Sequence, residues 1–225
     1  YTLEVAAIDN KGIEDPTAAS LQFTVSYPEP EYQPPSVPQP MHSPDEAENP
    51  ENERIAFASS RSGPFEIYTI NLDGSNLNQL TNNNTHNENP SWSPDGNKIV
   101  FQSHRDGVAG ERIYQINGDG SNNRRLIEGH DSTELDPSWS PDGNKIAFTA
   151  ISADGPLAIY LTNKDGRNIE RLTHNNWDEV HPSWSPDGSK IVFVSTQDGN
   201  EEIYIMGSEG TNRVRLTYDP ASDLN

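Results

Sequence analysis

The chain has 225 residues, a formal net charge of −20 and no cysteine. So negative a chain repels phosphate backbones, which argues against nucleic acid as a partner, and without cysteine it has no disulfides and no thiolate metal sites. No apolar run approaches the roughly 18 residues of a membrane-spanning helix, so we expect no membrane span.

Residues 1–27 are predicted to form a β-hairpin. The segments "YTLEVAAIDN" and "SLQFTVSY" alternate apolar and polar residues, and turn residues lie between them. The pattern resembles the closing hairpin of immunoglobulin-like or fibronectin type III-like domains. Because such a sandwich needs about seven strands and an isolated hairpin is marginal in water, we expect the hairpin to add to a larger sheet.

Residues 28–53 are predicted to be a solvated linker. They contain eight prolines and seven acidic residues but no Lys or Arg. Proline fixes φ and removes amide donors, and like charges extend a chain. A spacer is favoured over a proline-rich docking peptide, because the segment has no basic flanks.

Residues 54–225 form a repeat array with a period of about 45 residues. Each repeat contains four short strand-like segments separated by turn sequences such as "PDGN" and "NGDGSN". Four strands in a unit of this length are typical of a β-propeller blade. We therefore predict an all-β propeller with about four blades, standing alone or as part of a larger ring.

The strand count predicts an incomplete first blade. No "PSWSPDG" precedes Arg54, so the array begins with the second strand of a blade, and a new first strand would be due after Thr217. Open strand edges invite pairing, and the predicted hairpin at 1–27 is one source of the missing strand. It could act within its own chain, in a missing upstream domain, or on a neighbouring subunit in a head-to-tail fibre.

The sequence "PSWSPDG" occurs three times and is predicted to be architectural. Pro-Asp-Gly is a tight-turn tripeptide, and one tryptophan per blade suits the packing of neighbouring sheets. We assign Trp92, Trp139 and Trp184 to blade packing in preference to a ligand-stacking role. The aspartates lack the spacing of a calcium loop and are interpreted as turn residues.

The repeat "NPSWSPDGxKIxFxS … EIYxxNxDGSNxxRLT" resembles the TolB-like β-propeller repeat, a WD-repeat-like propeller. Similar repeats occur in the propellers of prolyl-oligopeptidase-type peptidases and in oligogalacturonate lyases. The resemblance covers about three-quarters of the chain, and it implies a fold that hosts binding, gating and lyase roles alike. It also implies partner binding at the propeller face and channel.

We predict that the chain is not an enzyme, with no catalytic residue, no metal ligand and no cofactor. The hydrolase elbow G-x-S-x-G is absent from the sequence. Resemblance to the lyases would place a histidine-rich metal pocket on the propeller face, but the loop histidines stand at unequal distances from the repeated tryptophan. The alternative is the propeller portion of a peptidase or polysaccharide lyase whose catalytic part lies elsewhere.

The polar loops that precede each first strand are predicted to form a binding face. Trp177 is the one tryptophan outside the packing motif and is either a binding anchor or folded back on its own loop. The candidate residues of this face are His86, Glu88, His130, Glu134, His174, Trp177, Glu179 and His181.

The main functional prediction is a non-catalytic scaffold or protein-interaction module of a secreted or cell-surface bacterial protein. An extracellular, cell-surface or periplasmic location is implied by the resemblance, and the partner is a protein or another copy of the chain. The alternative is a subunit of an extracellular fibre assembled by strand addition. Asn83, in the sequon Asn-Asn-Thr, is a candidate glycosylation site.

Overall fold

Four antiparallel sheets are present in the computed structural model, which describes residues 54–105, 110–129, 132–151, 155–218 and 221–223. The hairpin predicted at 1–27 and the linker predicted at 28–53 lie outside these residues. Among the described residues, no helix is long and apolar enough to cross a membrane. The all-β prediction with about four blades is confirmed.

Each sheet corresponds to one repeat and is numbered here as a blade. Blade 1 contains β1 (Arg54–Ser59), β2 (Glu66–Asn71) and β3 (Asn78–Gln79). Blade 2 contains β4 (Asn87–Trp92), β5 (Lys98–Ser103), β6 (Arg112–Asn117) and β7 (Arg124–Arg125). Blade 3 contains β8 (Glu134–Trp139), β9 (Lys145–Ile151), β10 (Leu157–Asn163) and β11 (Glu170–Arg171). Blade 4 contains β12 (Glu179–Trp184), β13 (Lys190–Ser195), β14 (Glu202–Gly207) and β15 (Val214–Arg215).

Within each blade the strands pair in chain order, and the first strands β4, β8 and β12 of neighbouring blades contact one another. Blade 1 has three strands in the part of the chain that the structure describes, as the strand count predicted. After β15, the backbone N–H of Asp223 donates to the carbonyl of Glu201 at 2.7 Å. The same contact begins β4, where Asn87 donates to the carbonyl of Phe65 at 2.8 Å.

The cores lie between the blades. Strand alternation places apolar side chains on both faces of the second and third strands, because a blade inside the array is covered on both sides. Residues such as Phe101, Phe148 and Phe193 are fully buried. Three separate apolar clusters occupy the interfaces between blades 1 and 2, 2 and 3, and 3 and 4.

The Pro-Asp-Gly turns interlock between neighbouring blades. Gly143 and Gly188 both have a φ of +70°, which favours glycine. A Cβ added at Gly143 would lie 3.1 Å from Pro94 of the preceding blade, and one added at Gly188 would lie 3.2 Å from Pro141. Glycine is therefore required at these turns both by the backbone and by the proline of the neighbouring turn.

The repeated tryptophans lie at these same interfaces. Trp139 is 8% exposed and belongs to the cluster between blades 2 and 3. Trp92 and Trp184 are partly buried and pack against the other two clusters. Each indole thus ends a first strand and covers the apolar residues of the preceding blade.

Candidate functional site

The first strands of blades 2 to 4 share a backbone irregularity in their middle. A β-bulge interrupts the pairing of each first strand with its second strand, between Glu88 and Ser91 in blade 2 and at the matching positions of the other two blades. The residue before the repeated proline has a positive φ in each: 51° at Asn89, 50° at Asp136 and 56° at His181. A positive φ is uncommon for residues other than glycine. The residue before a proline is also biased towards an extended backbone, so this conformation is unfavourable at all three positions.

These three residues form a continuous polar row, called here the channel row (Asn89, Asp136 and His181). The side-chain amide of Asn89 donates to Oδ1 of Asp136 at 2.8 Å. Nδ1 of His181 lies 3.3 Å from the same oxygen, and the backbone N–H of His181 donates to Oδ2 at 3.4 Å. The carboxylate of Asp136 therefore joins three blades, and its side chain is only 10% exposed.

The network extends behind the channel row. Oε1 of Gln102 accepts hydrogen bonds from the Asn89 amide and from the backbone N–H of Asp136, both at 3.0 Å. Nε2 of Gln102 donates to Glu111 at 3.0 Å, and Glu111 pairs with Nε2 of His104 at 2.8 Å. Burial raises the pKa of Glu111, although His104 and Gln102 act in the opposite direction.

The hydrogen bond with Asp136 raises the pKa of His181 above its ordinary value, against the smaller effect of burial. Its imidazole is half-exposed and lies against the Asp136 carboxylate, so in its protonated form it can present a positive charge to a ligand. The three row residues line a cavity of about 770 Å³ together with the following Pro-Ser pairs and Trp184. This cavity is open to solvent along the first strands and is called here the channel.

The sequence analysis named one member of the channel row, His181, and missed Asn89 and Asp136 as site residues. The signal was present in the sequence, because all three directly precede the Pro-Ser-Trp of their repeat. Their side chains differ while the surrounding letters agree. Asn, Asp and His are the residue types other than glycine that most often adopt a positive φ, so this position marks the left-handed turn that all three share.

The predicted binding face is only partly exposed, and two of its predicted residues, Glu134 and Glu179, lie below the surface. Both side chains are fully buried. Glu134 accepts a hydrogen bond from the backbone N–H of Ile113 at 3.0 Å. Glu179 pairs with Arg213 and accepts a hydrogen bond from Asn175 at 2.8 Å. The Glu134 carboxylate thus holds β8 to the preceding blade, and the Glu179 carboxylate holds β12 to the loop before it and to Arg213 of its own blade. Neither carboxylate is available to a partner.

The other predicted face residues are scattered. His86 and His174 are exposed, and His86 lies 3.6 Å from Glu88. Trp177 is partly buried, with its indole N–H buried in the loop, and His130 lies outside the described residues. Within the described ranges, no three His, Asp or Glu side chains are placed to hold a metal ion.

Asn83, the candidate glycosylation site, is folded into its own loop. Its side-chain oxygen accepts hydrogen bonds from Thr85 and from Asn87. The side-chain nitrogen that would carry the glycan is buried. Attachment of a glycan would require the loop to open, so this geometry argues against glycosylation of the folded chain.

The repeat array matches one family of known proteins. The family described as the TolB beta propeller domain matches residues 39–135 and 127–225. The chain belongs to the TolB β-propeller family. This confirms the resemblance drawn from the repeat. The Pro-Ser-Trp turns and the four-stranded blades are the features of this TolB-like chain on which the resemblance rests.

Relatives and solved structures agree with this membership. A protein TolB homolog from Chlorobium luteolum is 36% identical over 161 residues, covering 72% of this chain and 35% of the relative. The Tol-Pal system protein TolB of Desulfosudis oleivorans is 34% identical over 122 residues, covering 54% of this chain and 27% of the relative. The structure of a putative TolB from Agrobacterium tumefaciens superposes with a TM-score of 0.66 at 28% identity, covering 75% of this chain and 62% of that one. The TolB-like chain thus spans about a third of the length of the curated relatives it matches.

Proposed function

We propose that this chain is a non-catalytic propeller module that binds a protein partner through the channel row and the channel it lines. The observation that supports the proposal is the row itself. Each of its three residues has a left-handed backbone conformation and precedes a proline, and the Asp136 carboxylate links them. Strained backbone of this kind is concentrated at functional sites. The row joins three separate blades, so a partner that touches it is recognised by the assembled propeller.

The channel suits an extended protein segment. Its wall combines proline rings and the Trp184 indole with serine side chains and the charged pair of Asp136 and His181. Ligand sites commonly pair an apolar lining with a few fixed polar groups that set orientation. A polar backbone with apolar side chains meets both kinds of group at once.

Membership of the family supports a bacterial partner outside the cytoplasm. One relative is named a Tol-Pal system protein, so the Pal protein of the same organism is the first partner to test. We place the module in the periplasm or at the cell surface on the same ground.

The test compares two variants, in each of which arginine replaces a neutral residue. Ser183→Arg places a long side chain in the channel, and Asn78→Arg places the same side chain on an exposed outer strand. Titration calorimetry with purified Pal should show binding weakened at least about tenfold by Ser183→Arg and unchanged by Asn78→Arg.

A photo-crosslinking residue at Ser138, which also lines the channel, extends the test to other partners in the living bacterium. Absence of a discrete cross-linked protein at Ser138, together with unchanged Pal binding by the Ser183→Arg variant, would refute the channel as the binding site.

A further inference from the structure

The groove between blades 1 and 2, at the end of the blades where the turns lie, is occupied by a cationic side chain of this protein. Arg54, which begins β1 of blade 1, lies 5.0 Å from the ring centre of Trp92 in blade 2. Its Nη1 donates to the backbone carbonyl of Gly118 at 2.9 Å. A guanidinium can stack on an indole and donate hydrogen bonds in its own plane at the same time.

The third blade interface has the same parts in a different arrangement. Lys145 takes the place of Arg54, Trp184 that of Trp92, and Ser208 that of Gly118 in the repeat. The Lys145 ammonium lies 3.2 Å from Glu209 and is paired with that carboxylate. The groove is therefore left without a guanidinium over its tryptophan.

A cavity of about 460 Å³ remains at this position, called here the Trp184 groove. It is lined by Pro141, Lys145, Trp184, Pro186, Ser208 and Glu209, among others. A cavity of about 340 Å³ lies beside Arg54, but its lining includes neither Trp92 nor a Pro-Asp-Gly turn of the preceding blade.

The charge of the Trp184 groove favours a cation. Its lining includes the carboxylates of Asp142, Asp187 and Glu209 against one ammonium. Hydrogen bonds from Ser140 and Ser185 hold the pKa values of Asp142 and Asp187 at about 2, so both stay ionised at any physiological pH. The negative charge of the whole chain acts in the same direction.

We propose that the Trp184 groove binds the guanidinium of an arginine side chain presented by a protein partner. The guanidinium stacks on Trp184 as Arg54 does on Trp92. It lies beside the Ser208 side chain and not in the same position as Arg54, because a Cβ at Gly118 would lie 2.9 Å from Nη2 of Arg54. Glu209 at the mouth supplies the opposite charge. The site is separate from the channel row, although the two cavities share Trp184 and Pro186, and it does not depend on the function proposed for the row.

The test uses argininamide as the probe and the indole N–H signals of the full chain in a ¹H–¹⁵N spectrum as the readout. Titration should shift the Trp184 signal saturably with millimolar affinity and leave the Trp92 signal in place, because Arg54 already covers Trp92. Lysinamide, with the same charge but no planar fork, should bind at least about fivefold more weakly.

Two variants sharpen the result. Lys145→Arg lets the chain fill its own groove, as Arg54 does, and should abolish the argininamide shift at Trp184. Lys98→Arg makes the same change at the neighbouring interface and should leave the shift intact. Glu209→Gln, at an exposed side chain, should weaken binding about threefold or more.

Several outcomes would overturn the proposal. These are no saturable shift at Trp184 up to about 50 mM probe, equal binding of lysinamide, and a shift that survives Lys145→Arg. A folded amide spectrum for each variant shows that a lost shift reflects the groove and not the fold.

Discussion

At the scale of single residues, one exception to the repeat changes the acceptor of one buried backbone N–H. In blades 1, 3 and 4 a threonine hydroxyl accepts a hydrogen bond from the backbone N–H of the third strand, as Thr173 does from Ile159 at 3.0 Å. Blade 2 has Ile127 at that position. There the carboxylate of Glu134 accepts from Ile113 instead, at 3.0 Å. Because a buried N–H without an acceptor costs free energy, the loss of threonine requires this substitute.

The raised pKa of His181 leads to a prediction at this scale. Its source is the Asp136 hydrogen bond, so Asp136→Asn should lower the pKa of His181. NMR titration of the imidazole resonances measures it. Asp165→Asn, at an exposed turn of blade 3, removes the same charge elsewhere and should leave the pKa unchanged.

The direction of the pH dependence follows from the sign of the shift. Because folding raises the pKa of His181, its contribution to stability is fully present below the ordinary value of 6.5 and is lost as pH rises through the folded value. The wild-type chain should therefore lose more stability than the Asp136→Asn variant over that pH range. An equal loss in both would show that the Asp136 pair does not control His181.

At the scale of strands and blades, a phenylalanine and a tyrosine on neighbouring strands pack ring against ring in each of the four described blades, with ring centres 5.7 to 6.1 Å apart. The rings are stacked in blades 1, 3 and 4 and tilted in blade 2. An arginine lies over this pair in three blades, but it comes from different loops. Arg61 and Arg105 follow the second strand, whereas Arg213 precedes the fourth. The arginine side chain therefore takes the same place over the two rings, although it comes from a different position in the repeat.

The burial of their partners predicts unequal costs for losing these arginines. Arg213 pairs with the fully buried Glu179, so Arg213→Met leaves a buried charge without its partner and should destabilise the chain by about 3–5 kcal/mol. Arg61 is exposed and bonds only to Ser59 by its side chain among the contacts described. Arg61→Met should cost about 1 kcal/mol or less.

Urea denaturation followed by circular dichroism measures both variants. The double variant Arg213→Met with Glu179→Gln should recover part of the loss, because the buried charge is removed as well. Similar costs for the two single variants would contradict this account of Glu179.

At the scale of the whole molecule, each blade depends on the next for the cover of its fourth strand. The leucine after the short fourth strand is 2% exposed at Leu126 and 8% at Leu172, where another blade follows. Its counterpart Leu216 in blade 4 is 48% exposed, and Val214 and Tyr218 beside it are exposed too. The same sequence position is core or surface according to its neighbour.

This difference yields a matched pair of substitutions. Leu172→Glu buries a carboxylate between two blades and should cost about 3 kcal/mol or more. Leu216→Glu makes the same change on an exposed face and should cost no more than about 0.5 kcal/mol. Chemical denaturation of both variants is the measurement, and an equally large loss at Leu216 would mean that the blade 4 face is covered in solution.

The sequence by itself determined the features that repeat at short range. The period of about 45 residues, the strand count of the repeat array and the Pro-Asp-Gly turns all follow from local propensity and periodicity. The tryptophan at the end of each first strand could also be assigned to packing, because its surroundings are the same in every repeat. These properties can be inferred from the sequence of one blade, provided that the blade is known to have neighbours.

Only the tertiary structure decided which residues from different repeats meet. Asn89, Asp136 and His181 lie about 45 residues apart in sequence, and the contact of three first strands brings them together. The same packing buries Glu134 and Glu179, which looked like exposed loop acids. Local sequence does not record such contacts, because burial and charge pairing depend on the distance between blades and on which side chain the neighbouring blade presents.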